Sequence, residues 1–360
     1  MKRTLIISIL MVMTILISCE NKIKYEYDPL DGAITILSQL STADKVHSVY
    51  LSMSYPDRID SLPGAEVYCY INGKRYQARQ CPPDYYLSYD LETQTLLPER
   101  NPYTRYSFEA TFKPGDKVRV ETIKGDLMAW AELSVPEPSK LISVDTATVV
   151  KSSLIQDIDG SETYDQEYLE FTVKLEDIKG QDNYFSLDGE MTTVYNYFMG
   201  WDQMVGVDGP YILDYETFHD IILEDGFSSG IGDLFESILP INSTHCFSDN
   251  LFKDTGATVH LYFPSYYFYG SPYFILGDKA MITRNFRLRF KSIDRSFYNY
   301  LRAMNNLICY GYDVSPIIEP TMLPSNVSGG MGIVSIAAES NYEIQLGPFE
   351  YERNDDEIFY

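Results

Sequence analysis

From Ala33 onward apolar and polar residues alternate with period two, and the alternating runs end in turn residues. A strand points successive side chains to opposite faces, so this pattern specifies a sheet with one buried face and argues against an amphipathic helix over the same residues. Ile34 and Ile36 flank Thr35, and Val49, Leu51 and Met53 alternate with Tyr50 and Ser52. Val67, Cys69 and Ile71 share one face, with Tyr68 and Tyr70 on the other. Asn72-Gly73 follows at once, and both residues of such a hairpin turn must accept φ > 0. Further strands are predicted over 106–112, 117–123 and 128–135, with turns at Pro114-Gly115-Asp116 and Lys124-Gly125-Asp126. Strands at this spacing predict a β-sandwich.

Val135-Pro136-Glu137-Pro138 stiffens the chain and ends that unit. Strand runs then recur at 141–150, 167–175, 183–193, 257–263 and 286–293. Between 195 and 241 the alternation gives way to Gly, Asp and aromatic residues, with a short helix predicted over 232–239, so 195–256 reads as a long insertion. One helix is clear: after the caps Ser292 and Asp294, the residues Phe297, Tyr300, Leu301, Met304, Leu307 and Ile308 recur at helical spacing, as in a core-packing helix. The expectation is a mainly β chain. An N-terminal immunoglobulin/fibronectin-like β-sandwich spans 33–137, and a larger β-rich unit with that helix and long aromatic loops spans 138–360.

The first 32 residues carry an address. Lys2 and Arg3 precede a short apolar run that ends in Leu16-Ile17-Ser18-Cys19. A basic start and a brief apolar core make a secretory signal peptide, and the run is shorter than the roughly 20 residues a membrane-spanning helix needs. The last four residues form a lipobox, with small Ser18 at the cleavage point and Cys19 as the nucleophile that takes the lipid. Residues 1–18 then leave, 19–32 become anchor and tether, and the formal charge moves from −24 to −26 with the loss of Lys2 and Arg3. The expected location is the cell envelope, lipid-anchored to the outer membrane. With 52 Asp and Glu against 28 Lys and Arg, the chain lacks the basic surface by which proteins bind nucleic acid.

Several segments together resemble the DUF4249 lipoproteins of Bacteroidota. They are the lipobox and its tether, the strand at 34–40, Gly64-Ala65-Glu66-Val67 and Asn72-Gly73-Lys74. Lys113-Pro114-Gly115-Asp116-Lys117-Val118-Arg119-Val120 and Ala131-Glu132-Leu133-Ser134-Val135-Pro136-Glu137-Pro138 follow, then Phe247-Ser248-Asp249-Asn250-Leu251-Phe252 and the helix at 297–301. Near the C-terminus, Pro324-Ser325-Asn326-Val327-Ser328-Gly329-Gly330-Met331-Gly332-Ile333 fits a Pro-x-Asn-x-x-Gly-Gly-x-Gly signature. The resemblance implies an envelope lipoprotein, of a kind often encoded beside a TonB-dependent outer-membrane transporter, and carries over no catalytic residue.

The residues themselves point away from chemistry. His47, His219, His245 and His260 stand at no metal-ligand spacing, and neither HExxH nor CxxC occurs, so no metal or cofactor is expected. Gly329-Gly330-Met331-Gly332 lacks the spacing of a phosphate loop and reads as a tight turn or close approach. Asp157-Ile158-Asp159-Gly160-Ser161-Glu162 places its Gly fourth, where a calcium loop needs it sixth, and reads as a solvated hairpin tip. Cys69, Cys81, Cys246 and Cys309 are expected as free, mostly buried thiols. The chain from Tyr262 to Phe274 is built mainly of Tyr and Phe, and makes Tyr266, Tyr267, Phe268 and Tyr269 candidate binding residues, with Tyr197 and Trp201 from a second aromatic cluster. The function expected is a non-enzymatic outer-membrane lipoprotein, accessory to a TonB-dependent transporter in nutrient capture or uptake. The alternative is a free-standing surface glycan- or peptide-binding protein or adhesin.

Lipid attachment precedes cleavage in this export route, so Cys19→Ala is expected to leave an uncleaved precursor, heavier on a gel and unlabelled by radioactive fatty acid. A variant that is cut, soluble and correctly matured would remove the lipobox reading.

Overall fold

The alternation that begins at Ala33 folds as predicted, into β1 (Ala33–Ser41), whose Ile34, Ile36 and Leu40 are buried. The computed structural model describes residues 32–55, 57–90, 95–157, 160–199, 202–218, 220–225, 242–269, 279–310 and 323–352. Antiparallel to β1 lies β2 (Val46–Ser54), with Leu51 opposite Ile36. After β3 (Ile59–Ser61), the strands β4 (Glu66–Ile71) and β5 (Lys74–Gln77) form a hairpin with Cys69 opposite Tyr76. Its turn residues Asn72 and Gly73 hold φ of 49° and 81°, the left-handed pair such a turn requires. Next come β6 (Arg79–Gln80), β7 (Tyr85–Asp90), β8 (Thr95–Arg100) and β9 (Thr104–Glu109), then the hairpin of β10 (Lys117–Lys124) and β11 (Leu127–Ser134). The sheet β11–β10–β4–β5 faces the sheet that carries β1, β2, β9 and β6. Val67, Val118, Val120 and Ala131 from the first meet Ile36, Val49, Leu51 and Tyr106 from the second.

The chain then makes a second sandwich. A long hairpin of β12 (Lys140–Asp157) and β13 (Gly160–Glu176) leads to β14 (Tyr184–Met199) and β15 (Asp202–Leu213). The one-turn α1 (Ile221–Glu224), β16 (Cys246–Ser248), β17 (Gly256–Pro264), the one-turn α2 (Tyr266–Tyr269) and β18 (Lys279–Ile293) follow. β12, β13 and β17 form one sheet, and β14 and β18 lie in the other. Phe171 and Val173 of β13 and Leu261 and Phe263 of β17 interleave with Phe185, Leu187, Phe286, Leu288 and Phe290. Phe171 sits 5.4 Å from Phe263, edge to face, and 4.9 Å from Phe286. Aromatic pairs in that range add to the area they bury.

The helix α3 (Arg295–Tyr310) begins where expected: Asp294 Oδ1 accepts from the backbone N–H of Ser296 at 2.9 Å and of Phe297 at 3.1 Å. Its Phe297 and Tyr298 pack on Cys246, Ile333 and Ala337, over the seam between the two sandwiches. That seam is a single strand, β19 (Met331–Glu352), for which the sequence reading named no strand. Residues 331–337 pair in parallel with β1, from Thr35↔Met331 to Ser41↔Ala337. Residues 338–352 pair antiparallel with β18, from Ser292↔Ala338 to Lys279↔Glu352. One ten-stranded sheet therefore runs through both sandwiches, in the order β15–β14–β18–β19–β1–β2–β9–β6, with β16 beside β14 and β3 beside β2. The units 33–137 and 138–360 share this strand, and Val334 and Ile336 lie in the first core.

The glycine signature before β19 now has a physical account. The Asn326 amide donates to Val334 O at 2.7 Å and accepts from Val334 N at 3.0 Å, pairing with β19 as a backbone would. Gly332 holds φ of 109°, and a Cβ there would lie 2.1 Å from Ile36 O. Residues 195–256, expected as a long insertion, begin instead as strand: β14 continues to Met199, and β15 fills Asp202–Leu213. An edge strand buries little, so Gly206, Asp208, Gly209 and Pro210 disguise it. The helix predicted over 232–239 lies outside the described residues. Cys69, Cys81 and Cys246 are free, and burial pushes the Cys69 and Cys246 thiols up to about 12; the Cys309 side chain lies outside the described ones.

Gly332→Ala is expected to cost more than about 3 kcal/mol, from left-handed strain plus collision with a paired backbone. Gly73→Ala, at φ of 81° with nothing within 4 Å of the added Cβ, is expected to cost only about 1 kcal/mol. Urea unfolding of the two variants separates these contributions; equal losses would refute the close-approach account.

Candidate functional site

On β18 the alternation is strict. Phe286, Leu288 and Phe290 face the core, and Arg287, Arg289 and Lys291 face outward. The strands on either side are acidic on that outer face, with Asp188 and Glu190 on β14 and Glu339 and Glu343 on β19. Three cations are thus inlaid between four carboxylates. Arg289 donates to Glu339 through Nε at 3.0 Å and Nη2 at 2.7 Å, and through Nη1 to Glu190 at 3.2 Å. Arg287 donates to Glu343 at 2.9 Å and to Glu190 at 3.4 Å, and Lys291 to Asp188.

Glu339 ties this ladder to the first sandwich. Its side chain is 1% exposed, and Ser41 at the end of β1 donates to its Oε1 at 2.5 Å. Its backbone N–H donates to Thr42 Oγ1 at 3.1 Å. Burial by itself would raise the Glu339 carboxyl, but the hydrogen bonds from Arg289 and Ser41 outweigh it and hold the group below the usual carboxylate range. Asp188 behaves likewise: burial opposes its charge, while Lys291 and His245 more than offset that and depress it strongly. The His245 ring, 3.8 Å from Asp188, stacks on Tyr215 at 4.1 Å. Burial also lowers the charged form of Arg289, yet Glu339 and Glu190 leave it held above the usual guanidinium value.

Of these groups Ser41, Asp188, Arg289, Lys291 and Glu339 line a cleft of about 350 Å³ at the seam of the two sandwiches. Asp44 and Ser41 come from the first sandwich, Asp188, Arg289 and Lys291 from the second, and Phe297 of α3 gives an apolar wall. A larger hollow of about 470 Å³ lies on the outer face of β11–β10–β4–β5, where Tyr70, Lys117 and Glu132 line it and Arg119 lies 4.3 Å over the Trp130 ring. The seam cleft is the stronger candidate because it gathers charges of both signs, among them Asp188, Arg289 and Glu339, which are little exposed and have shifted pKa values. It offers fixed charge beside an apolar wall.

The aromatic candidates divide. Phe268 is fully buried among Phe171, Phe263 and Phe286, and its carbonyl accepts from Arg284 at 2.6 Å, so it is a core residue and not a binding residue. Its side chain closes the end of the second core, which a run of adjacent aromatics does not reveal in sequence. Tyr266 and Tyr269 are 57% and 50% exposed, and Tyr267 is half-buried beside Tyr266. Tyr197 lies half-buried on β14, and among the described residues no ring contact joins it to α2. Trp201 and Cys19 lie outside the described residues, as does the side chain of Glu162 in the Asp157–Glu162 stretch. His47 is a core residue, with its ring nitrogen 3.1 Å from Ala110 O. Among the described residues no group of three His, Cys, Asp or Glu is placed to hold a metal.

The two joined sandwiches with a charged seam belong to a chain that matches a family model along most of its length. That model is described as a domain of unknown function (DUF4249), it matches residues 20–343, and the chain belongs to this family. No curated protein matches it.

Asp188 and Glu339 titrate lower in the folded than in the unfolded chain. The stability they contribute is therefore complete above about pH 5 and drains away as pH falls through the carboxylate range. Glu339→Gln is expected to cost about 3 kcal/mol at pH 7, because Arg289 loses its bidentate partner while largely buried. The difference from wild type should shrink at pH 3, and urea melts at the two pH values measure it. An equal loss at both would show that the charge of Glu339 is not what matters.

Proposed function

We propose that this chain is a lipid-anchored protein of the outer membrane that assists a TonB-dependent transporter, by capturing cargo or by docking on the barrel, and that its work is binding. The observation that carries the reading is Leu16-Ile17-Ser18-Cys19 behind Lys2-Arg3, followed by a tether and a β body. A tri-acylated cysteine holds a protein at a membrane essentially permanently, since each buried methylene adds about 0.8 kcal/mol. The body suits a binding role. Its two sandwiches are joined by a shared strand, and the charged groups of the seam are held in fixed geometry beside a cleft. A fixed arrangement loses little entropy on meeting a partner.

A second reading, a free-standing glycan or peptide binder or adhesin, is favoured by the exposure of Tyr266 and Tyr269. Two measurements separate the readings. Affinity purification from native envelopes is expected to recover a transporter with this chain, and repeated recovery of none would overturn the first reading. Tight binding on a glycan or peptide array without any barrel present would favour the second.

A further inference from the structure

The floor of the seam cleft holds two hydroxyls that no described residue engages. Val334 and Ile336 lie in the first core, so Ser335 between them turns to the cleft. Ser186 does the same between Phe185 and Leu187 of the second core. Ser335 is 2% exposed and Ser186 5%, and among the described residues neither hydroxyl has a hydrogen-bond partner. Buried polar side chains are nearly always hydrogen-bonded, so two such hydroxyls on one floor call for a partner from the cleft itself. The cations beside them also hold donors in reserve. A guanidinium has five N–H groups and an ammonium three. Arg289 donates three times, to Glu339 and Glu190, and Lys291 once, to Asp188. Both therefore keep N–H groups for an acceptor.

We propose that this cleft takes a small zwitterion with an apolar side chain, of the amino-acid or dipeptide class. The proposal rests on the reading of this chain as a binding protein and names what its cleft would hold. Charge selects the class. Asp188 and Glu339 are matched by Lys291 and Arg289, which leaves Asp44, exposed and lining the same cleft, with no cation partner among the described residues. A simple anion would meet the remaining N–H groups but face an excess of negative charge. A simple cation would suit Asp44 and leave the N–H groups of Lys291 and Arg289 unmet. An uncharged sugar would serve the hydroxyls and neither charge. An ammonium toward Asp44 and a carboxylate toward Lys291 and Arg289 serve all of them. Phe297 and Leu301, one turn apart on α3, form the apolar wall for a side chain. At about 350 Å³ the cleft lies at the small end of ligand sites, which run from roughly 300 to 1,000 Å³.

Titration calorimetry on the full chain in detergent tests this, with leucyl-leucine as the probe. Saturable binding is expected, and blocking either end, as N-acetyl-leucyl-leucine or as leucyl-leucinamide, should weaken it at least about tenfold, since each block removes a charge-assisted contact. Asp44→Asn should weaken leucyl-leucine but leave N-acetyl-leucyl-leucine unchanged, because that probe has no ammonium for Asp44 to meet. Ser335→Ala is expected to weaken binding several-fold while the unfolding midpoint holds or rises, since the hydroxyl has no protein partner to lose. No saturable binding of leucyl-leucine would overturn the proposal. So would equal binding of the doubly blocked peptide, or an Asp44→Asn loss that is the same for every probe. Recovery of a transporter from native envelopes without leucyl-leucine binding would sink this proposal alone and leave the transporter reading standing.

Discussion

Everything in this fold depends on the pairing of β19, whose backbone belongs to two sandwiches in succession. Over 331–337 it is hydrogen-bonded to β1, and over 338–352 to β18. The change of partner falls at Ala337 and Ala338, both buried. Because a strand repeats every two residues, a slip of one would turn Val334 and Ile336 out of the first core and expose their apolar faces. A slip is opposed at three further points. Gly332 fits against Ile36 O only in this register, the Asn326 amide is matched to the Val334 peptide, and Glu339 must meet both Ser41 and Arg289.

The charged ladder serves this pairing more than it serves net stability. Taking a carboxylate out of water costs several kcal/mol, and a well-packed apolar side chain would often do as well energetically. A carboxylate with one admissible position does something an apolar residue cannot, because displacement leaves an unpaired buried charge on each side. Glu339 has that position. It accepts two hydrogen bonds from a β18 arginine and one from a β1 serine, so it registers the two sandwiches against each other across the shared strand.

Much of this was legible from alternation alone. The inward faces of Val67-x-Cys69-x-Ile71 and of β10, the left-handed Asn72-Gly73 turn and the Asp294 cap follow from local chemistry and stand in the structure. The signature glycines were readable as a close approach, though not as an approach to β1. What the sequence hid is long-range. Arg287-x-Arg289-x-Lys291 announces a charged strand face, but its partners lie on strands roughly 50 and 100 residues away, and a single sequence does not say which strands are neighbours. Phe268 was misread for a related reason: a loop rich in Tyr and Phe has the same composition whether its rings face water or a core, and only packing distinguishes Phe268 from the exposed Tyr269 beside it.

The shared strand also orders the folding of the molecule. The contacts of β1 with β19 join residues roughly 300 apart, and loop-closure entropy must be met before such contacts return any free energy. The local hairpins, β4–β5, β10–β11 and β12–β13, need no such closure and can form first. Until β19 arrives, β1 and β18 each present an open edge beside a strand already paired on the other side, with Ile34, Ile36, Phe286 and Leu288 still incompletely covered. Open edges with apolar faces are what partly folded chains aggregate through. β19 follows every other described strand along the chain, so the first sandwich, although its other described strands are complete by residue 134, must wait for it before its sheet is whole. Because the two sandwiches share this strand, a lesion at the seam reaches both.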